Sequence, residues 1–253
     1  MILIFHAFAR EIAPFKRRLK NRTAIEHREL RGFRARVGEK EIVAIATGVG
    51  LARARAAAQK AFDAYPKAEL AIGTGVAGAL AEHLKPGDLI LAECVIVHRS
   101  ATTPPEDLDA IQEERVSEIA QTLIAAGRSH FSGAILTSHD ALADGVEKRR
   151  AGEVTGALAV DMETAAIAEE ANSRGIPFVC LRAIIDEVDD QVIEPKVDAE
   201  GNIRPLATAA NALRNPGKLL ELPQMMRNLG LATRAIADAL EAIVTIEGTK
   251  ISS

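Results

Sequence analysis

Ala157-Leu158-Ala159-Val160-Asp161-Met162-Glu163-Thr164-Ala165-Ala166, with Gly175-Ile176-Pro177-Phe178-Val179-Cys180-Leu181-Arg182-Ala183-Ile184-Ile185-Asp186 shortly after it, decides how this chain reads. Ala157–Val160 is a short apolar approach, and Glu163 opens an alanine-rich stretch with helical spacing. Gly175 supplies a C-cap, and Ile176–Ile185 is apolar for long enough to form a strand buried on both faces. Asp186 is the first acidic residue of that run, which places it at the strand's carboxyl end. In open α/β sheets, ligands bind at that end. Carboxylates such as Glu163 and Asp186 at the edges of apolar structure are costly unless each has a partner or a task.

Working outward, strand-like runs fall at Ile2–Ala7, Phe33–Val37, Ile42–Ala46, Leu70–Ile72, Leu89–Val97 and Gly133–Thr137. Helical patterns occupy Ile12–Leu19, Leu51–Ala64, Gln112–Ala126 and Glu163–Ser173. This alternation predicts a layered α/β fold with a largely parallel or mixed sheet. Gly38-Glu39 between two strand runs predicts a hairpin. Glu187–Pro205 is polar, with Pro195 and Gly201, and reads as a long loop. Leu206–Val244 reads as helix interrupted at Asn215-Pro216-Gly217 and at Pro223. The expected organisation is a core over residues 1–190, with 191–253 as a loop and helical extension packed on it.

The 253 residues are 48% hydrophobic and 26% charged, a globular balance with ample material for one core. The longest apolar runs have strand length, so no membrane-spanning helix is expected. Met1–Phe8 lacks a basic start and a small-residue cleavage site, and reads as a first strand rather than a signal peptide. Cys94 and Cys180 in strand-like runs imply no disulfide framework, and a cytoplasmic setting is expected. A net charge of −4 gives no reason to expect nucleic acid as partner. Between Arg10 and Lys40, basic residues are opposed only by Glu11, Glu26, Glu29 and Glu39. That stretch reads either as a solvated helix end and hairpin or as a surface drawn to anionic membrane, worth about 1 kcal/mol per charge there.

Gly73-Thr74-Gly75-Val76-Ala77-Gly78 matches G-x-G-x-x-G, but no substantial helix follows, so the dinucleotide reading fails. What remains is a tight glycine turn at a strand end that lets a ligand approach the backbone. Thr47-Gly48-Val49-Gly50 opens a long helix. Its amides could hold an anion or sugar hydroxyl, or it is a plain strand-to-helix turn. Glu11 on its own reads as an acid at a helix start. The six histidines show no close ligand spacing, so no metal site is expected. Arg182, inside an apolar strand, requires a carboxylate partner.

Val160-Asp161-Met162-Glu163-Thr164-Ala165-Ala166, Arg182-Ala183-Ile184-Ile185-Asp186 and Gly73-Thr74-Gly75-Val76-Ala77-Gly78 together resemble the purine nucleoside phosphorylase and methylthioadenosine/adenosylhomocysteine nucleosidase superfamily. The resemblance runs from the first strand to about Asp190. It implies a three-layer α/β/α sandwich around a mixed, partly barrel-like sheet, no cofactor, and a homo-oligomer, a dimer foremost. By the same resemblance Asp186 would protonate the purine at N7. Glu163 would hold the ribose hydroxyls with Met162 against the sugar, and Glu11 would activate water. Asp161, Val160, Leu142, Ala143, Gly75 and Val76 would line the pocket.

Inorganic phosphate stays open as co-substrate, with Arg10 and Gly48 as its candidate ligands. Three residues depart from the family pattern. Val76 stands where a hydroxyl residue is frequent, Gly73 where the phosphorylase branch keeps an arginine, and Leu142 where an aromatic ring stacks on the base. Asp198-Ala199-Glu200-Gly201-Asn202-Ile203-Arg204-Pro205 and the helices after it resemble the hopanoid-associated branch, whose members remove adenine from adenosylhopane. That implies an apolar entrance around Leu219, Leu220, Leu222, Met225, Met226 and Leu229, and an approach to the inner membrane face. The other reading packs those residues on the core or on a second subunit. The competing functions are a methylthioadenosine/adenosylhomocysteine nucleosidase, a purine nucleoside phosphorylase, and a nucleoside-binding protein without turnover.

Overall fold

The computed structural model describes residues 1–100, 102–190 and 216–249, with side chains in the last stretch from residue 223 onward. Among these, the strands are β1 (Ile2–His6), β2 (Thr23–Ala24), β3 (Arg31–Val37), β4 (Lys40–Ala46), β5 (Leu70–Ala79), β6 (Leu89–His98), β7 (Glu106–Leu108), β8 (Phe131–Ser138), β9 (Ala159–Asp161) and β10 (Phe178–Asp186). The helices are α1 (Ala13–Arg18), α2 (Leu51–Ala64), α3 (Glu113–Ala125), α4 (Gly145–Thr155), α5 (Thr164–Asn172) and α6 (Pro216–Thr249).

The strands form one mixed sheet in the order β10-β6-β8-β9-β5-β1-β4-β3-β2, with β7 on β6. An extra pairing of β10 with β5 closes β10, β6, β8, β9 and β5 into a ring, which is the barrel-like part. Buried strands feed two helical layers because their side chains alternate. Ile2 and Ile4 of β1 pack with Phe15, Val116, Ile119 and Ile236, from α1, α3 and α6. Leu3 and Phe5 pack with Ala54, Ala58, Ala166 and Ala171, from α2 and α5. The result is the expected α/β/α sandwich.

Gly38-Glu39 turns the β3–β4 hairpin as expected, with Gly38 at φ 55°. Some of the basic residues from Arg10 to Lys40 are tied into the fold. Arg18 reaches Asp238 at 2.7 Å and Glu241 at 2.9 Å, joining α1 to α6.

Three expectations need correction. The glycine-rich segment 73–78 is no turn, because β5 runs through it to Ala79. The helix α4 lacks an apolar stripe and escaped the periodicity reading, although Asp144 caps it by accepting the Glu147 amide at 2.9 Å. The helix α6 is not interrupted at Pro223. Pro216 starts it where a missing N–H costs nothing, and Pro223 sits exposed in an early turn. Farther on, Ala232, Ile236, Ala239, Leu240, Ile243 and Val244 recur at helical spacing and are fully buried, which outweighs one lost hydrogen bond. The pattern from Asp198 to Pro205, the break at Asn215 and the side chains of Leu219, Leu220 and Leu222 lie outside the described residues.

Candidate functional site

The strand β5 is the track on which the site is laid. Its register with β10 sets Arg182 opposite Gly75 and Asp186 opposite Gly78, and its register with β9 sets Gly78 opposite Val160. Two glycines keep the track passable for long side chains. A Cβ at residue 75, where φ is +149°, would stand 2.5 Å from both Arg182 Nη1 and Glu11 Oε1. A Cβ at residue 78 would stand 3.1 Å from Asp186 Oδ1. Both positions therefore serve side chains that cross the strand.

Glu11 follows β1 and is 1% exposed. Its carboxylate accepts the amides of Ala7 at 2.7 Å, Phe8 at 3.1 Å and Val76 at 3.0 Å. Burial pushes its pKa above the usual carboxylate value, against the Arg182 charge and those three amides. Val76 thus contributes its backbone to Glu11, while its half-buried side chain packs on the core.

Arg182 finds the partner its position demanded. The guanidinium forms an ion pair with Asp161, lies 4.0 Å from Glu163, and donates to the Thr164 hydroxyl from Nε at 3.2 Å and Nη2 at 2.8 Å. Its Nη1 is buried without a partner. Asp161 also accepts the Thr137 hydroxyl at 2.8 Å, the Thr164 amide at 3.1 Å and the Thr164 hydroxyl. Its carboxylate is therefore engaged by internal bonds, and it supports Arg182.

Glu163 is the N-cap residue of α5 and accepts the Gly50 amide at 2.8 Å, so the Thr47–Gly50 turn and the start of α5 share one bond. Burial, and next the Asp161 charge, push its pKa up to about 8, while Arg182 and the Gly50 amide oppose the rise. The folded protein then holds this proton to higher pH than the unfolded chain does, so stability should fall as pH rises through that window. Glu163→Gln keeps an acceptor for Gly50 and removes the charge. Near pH 8.5 it is expected to melt about 2–4 °C above the unsubstituted protein, roughly 1 kcal/mol, with the gap closing near pH 5. Equal melting temperatures at both pH values would count against a strained, buried carboxylate.

Asp186 ends β10 with its side chain 20% exposed. Burial raises its pKa, and the ammonium of Lys148, bonded to Oδ1, opposes that rise. Lys148 comes from α4 and went unnoticed in the sequence. The Asp144-x-x-Glu147 helix-start pattern could have revealed the helix that carries it.

Leu142 and Val160 are half-buried and belong to one small apolar cluster with Leu80, Ile96 and Leu136. Met162 is half-buried between Asp161 and Glu163, and the Ala143 amide donates to Glu147 at 3.2 Å. The candidate phosphate ligands fare differently. Arg10 is exposed, and the Gly48 amide is already donated to the Ala7 carbonyl at 3.0 Å. Among the described residues, no group of three or more His, Cys, Asp or Glu side chains could hold a metal ion, and no helix is long and apolar enough to cross a membrane.

Residues 1–221 match a family model described as "Phosphorylase superfamily". A 5'-methylthioadenosine/S-adenosylhomocysteine nucleosidase of Staphylococcus haemolyticus is 27% identical over 198 residues, covering 74% of this chain and 86% of that protein. The nucleosidase of the same name from Haemophilus influenzae is 25% identical over 197 residues, with the same coverage. Among solved structures, the nucleosidase from Neisseria meningitidis in complex with methylthio-immucillin-A shares the fold, with a TM-score of 0.75 at 19% identity over 97% of this chain and 98% of that one. Futalosine hydrolase of Helicobacter pylori does so with a TM-score of 0.69 at 18% identity, over 95% and 97%. With most of its length matched by the family model, the chain belongs to the phosphorylase superfamily.

Proposed function

We propose that this protein hydrolyses the N-glycosidic bond of an adenine nucleoside carrying a 5′ substituent, releasing adenine. The observation that carries this reading is that Glu11 and Asp186 lie along one strand, with Glu163 4.0 Å from the Arg182 that crosses it. Glu11 and Glu163 are buried, Asp186 is partly exposed, and desolvation raises the pKa of all three. Breaking an N-ribosyl bond develops positive charge on the sugar and negative charge on the departing base. Asp186 would deliver a proton to N7 so that adenine leaves neutral, a task suited to a carboxyl with a raised pKa. Glu163 would grip the ribose diol and stabilise the oxocarbenium-like sugar. Leu142 and Val160 would form an apolar wall for the base, and Met162 would pack against the sugar.

Water is the nucleophile this geometry favours. Glu11 Oε1 and the unpartnered Arg182 Nη1 lie together against Gly75. A water held there would give its proton to Glu11 as its oxygen attacks C1′. Phosphate would find little prepared for it, since Gly48 has no free amide and Gly73 stands where a basic residue would help. Release of adenine from methylthioadenosine should therefore proceed without phosphate and gain less than about two-fold from adding it. Glu11→Gln should lower turnover by about 10²-fold. Strict dependence on phosphate, or a Glu11→Gln enzyme of normal rate, would overturn hydrolysis.

For the 5′ group, the pattern from Asp198 to Pro205 and the apolar residues after it support adenosylhopane, a lipid-linked nucleoside. The curated relatives favour methylthioadenosine or adenosylhomocysteine. Comparing kcat/KM on adenosylhopane in vesicles with that on methylthioadenosine separates the two. A preference for methylthioadenosine of ten-fold or more would remove the lipid reading and leave the chemistry intact.

A further inference from the structure

The ammonium of Lys148 is fully buried, and all its hydrogen-bonding capacity is spent on three residues of the short segment from Asp186 to Asp190. It donates to Asp186 Oδ1, to the Glu187 carbonyl at 2.8 Å and to the Asp190 carbonyl at 3.3 Å. An ammonium has three N–H groups, so its donors match its acceptors one for one. The first turn of α4 lies against the same segment, since a Cβ on Gly145 would stand 3.0 Å from the Val188 carbonyl. Lys148 Cε lies 3.6 Å from the point where a Cβ on Gly78 would stand, so the glycine that admits Asp186 admits the lysine too. A buried ammonium is costly unless paired, and the carboxylate that pairs with Lys148 is Asp186 at the end of β10.

We propose that Lys148 is the positioning residue of Asp186, holding Oδ1 and the closing loop so that Oδ2 meets the purine and stabilising the carboxylate left when the proton departs. This rests on the reading of Asp186 as the acid. The proton balance is simple. The Oδ2 proton of Asp186 goes to N7, the electrons of the N-glycosidic bond go to the base, and Lys148 keeps its own three protons beside the new carboxylate. Among the charges around Asp186, Lys148 from α4 is opposed by Asp190. Glu187 is paired with Lys85 at 2.6 Å and Asp189 with Arg149, while Gly78 of β5 and Val160 of β9 carry no charge.

The test is the pH profile of adenine release from methylthioadenosine by Lys148→Met and Lys148→Arg enzymes. A general acid works only while protonated, so activity is lost as pH rises through its pKa. Removing the neighbouring cation raises that pKa, and the basic limb must move up. Lys148→Met is expected to lose about ten-fold or more in kcat, keep KM within about three-fold, and shift the basic limb up by about one pH unit or more. Lys148→Arg should keep the limb in place and recover part of kcat. A folded Lys148→Met enzyme with an unshifted limb overturns the proposal.

A second measurement needs no variant. The Lys148 ¹⁵Nζ resonance of the unsubstituted enzyme should move when an adenosine analogue bearing a proton at the N7 position binds, and an unmoved resonance also overturns it. The Asp186→Asn enzyme separates the two levels of the argument. If it turns over normally, the acid itself is misassigned. If it is inactive while Lys148→Met is unaffected, only the lysine's role fails.

Discussion

Asp186→Asn is expected to reduce adenine release by about 10³-fold or more at neutral pH. The asparagine is nearly isosteric and can still accept a hydrogen bond from Lys148, so the strand end and its loop should keep their shape. What it lacks is a proton acidic enough to neutralise the departing base. Adenine would then have to leave as an anion, and among the described residues it is Asp186 that β10 sets opposite Gly78. The KM for methylthioadenosine should change little, because the ribose grip proposed for Glu163 and the proposed apolar wall are untouched. Steady-state release of adenine, with circular dichroism to confirm folding, decides it. Activity within about ten-fold of the unsubstituted enzyme would sink the assignment of Asp186 as general acid.

Arg182→Met should be the most destabilising single change at this site, costing about 3–5 kcal/mol. Arg182 and Asp161 each have side chains only 1% exposed, so water cannot replace the lost partner. Asp161 would retain the Thr137 and Thr164 donors but no cation, and Glu163 and Glu11 would lose the charge that offsets their burial. The cost should grow with pH, because these carboxyls can escape by binding a proton at low pH and cannot at high pH. Urea unfolding near pH 6 and near pH 8.5 provides the measurement. A loss below about 1 kcal/mol at the higher pH would mean that the ion pair is dispensable, and that Arg182 is retained for the nucleophile's side of the site alone.

Much of the fold was legible because its signals are local. The hairpin at Gly38-Glu39, the long α2 and the buried β10 ending at Asp186 each carry their pattern within one continuous stretch of chain. What escaped were elements stabilised from outside. The helix α4 is mostly polar and is held by its cap and by contacts with other segments. The helix α6 runs past Pro223 because a long apolar face buries against the core. The glycines of 73–78 were misread as a turn for the same reason. Nothing in the local sequence shows that Arg182, Glu11 and Asp186 will cross the strand just there.

The chain's own order of residues determined the carboxylates, the strand that ends in Asp186 and the need of Arg182 for a partner, because burying a charge is costly wherever it occurs. Only the tertiary structure decided how those charges are divided. The closure of β5 onto β10 brings Arg182 and Asp186 beside Gly75 and Gly78, and that contact spans about a hundred residues of sequence. It assigns Asp161 to support of Arg182, leaves Glu163 and Glu11 under-compensated, and brings Lys148 to Asp186. Which buried carboxylate keeps its cation and which does not depends on distances across the closed ring, and no local pattern encodes those distances.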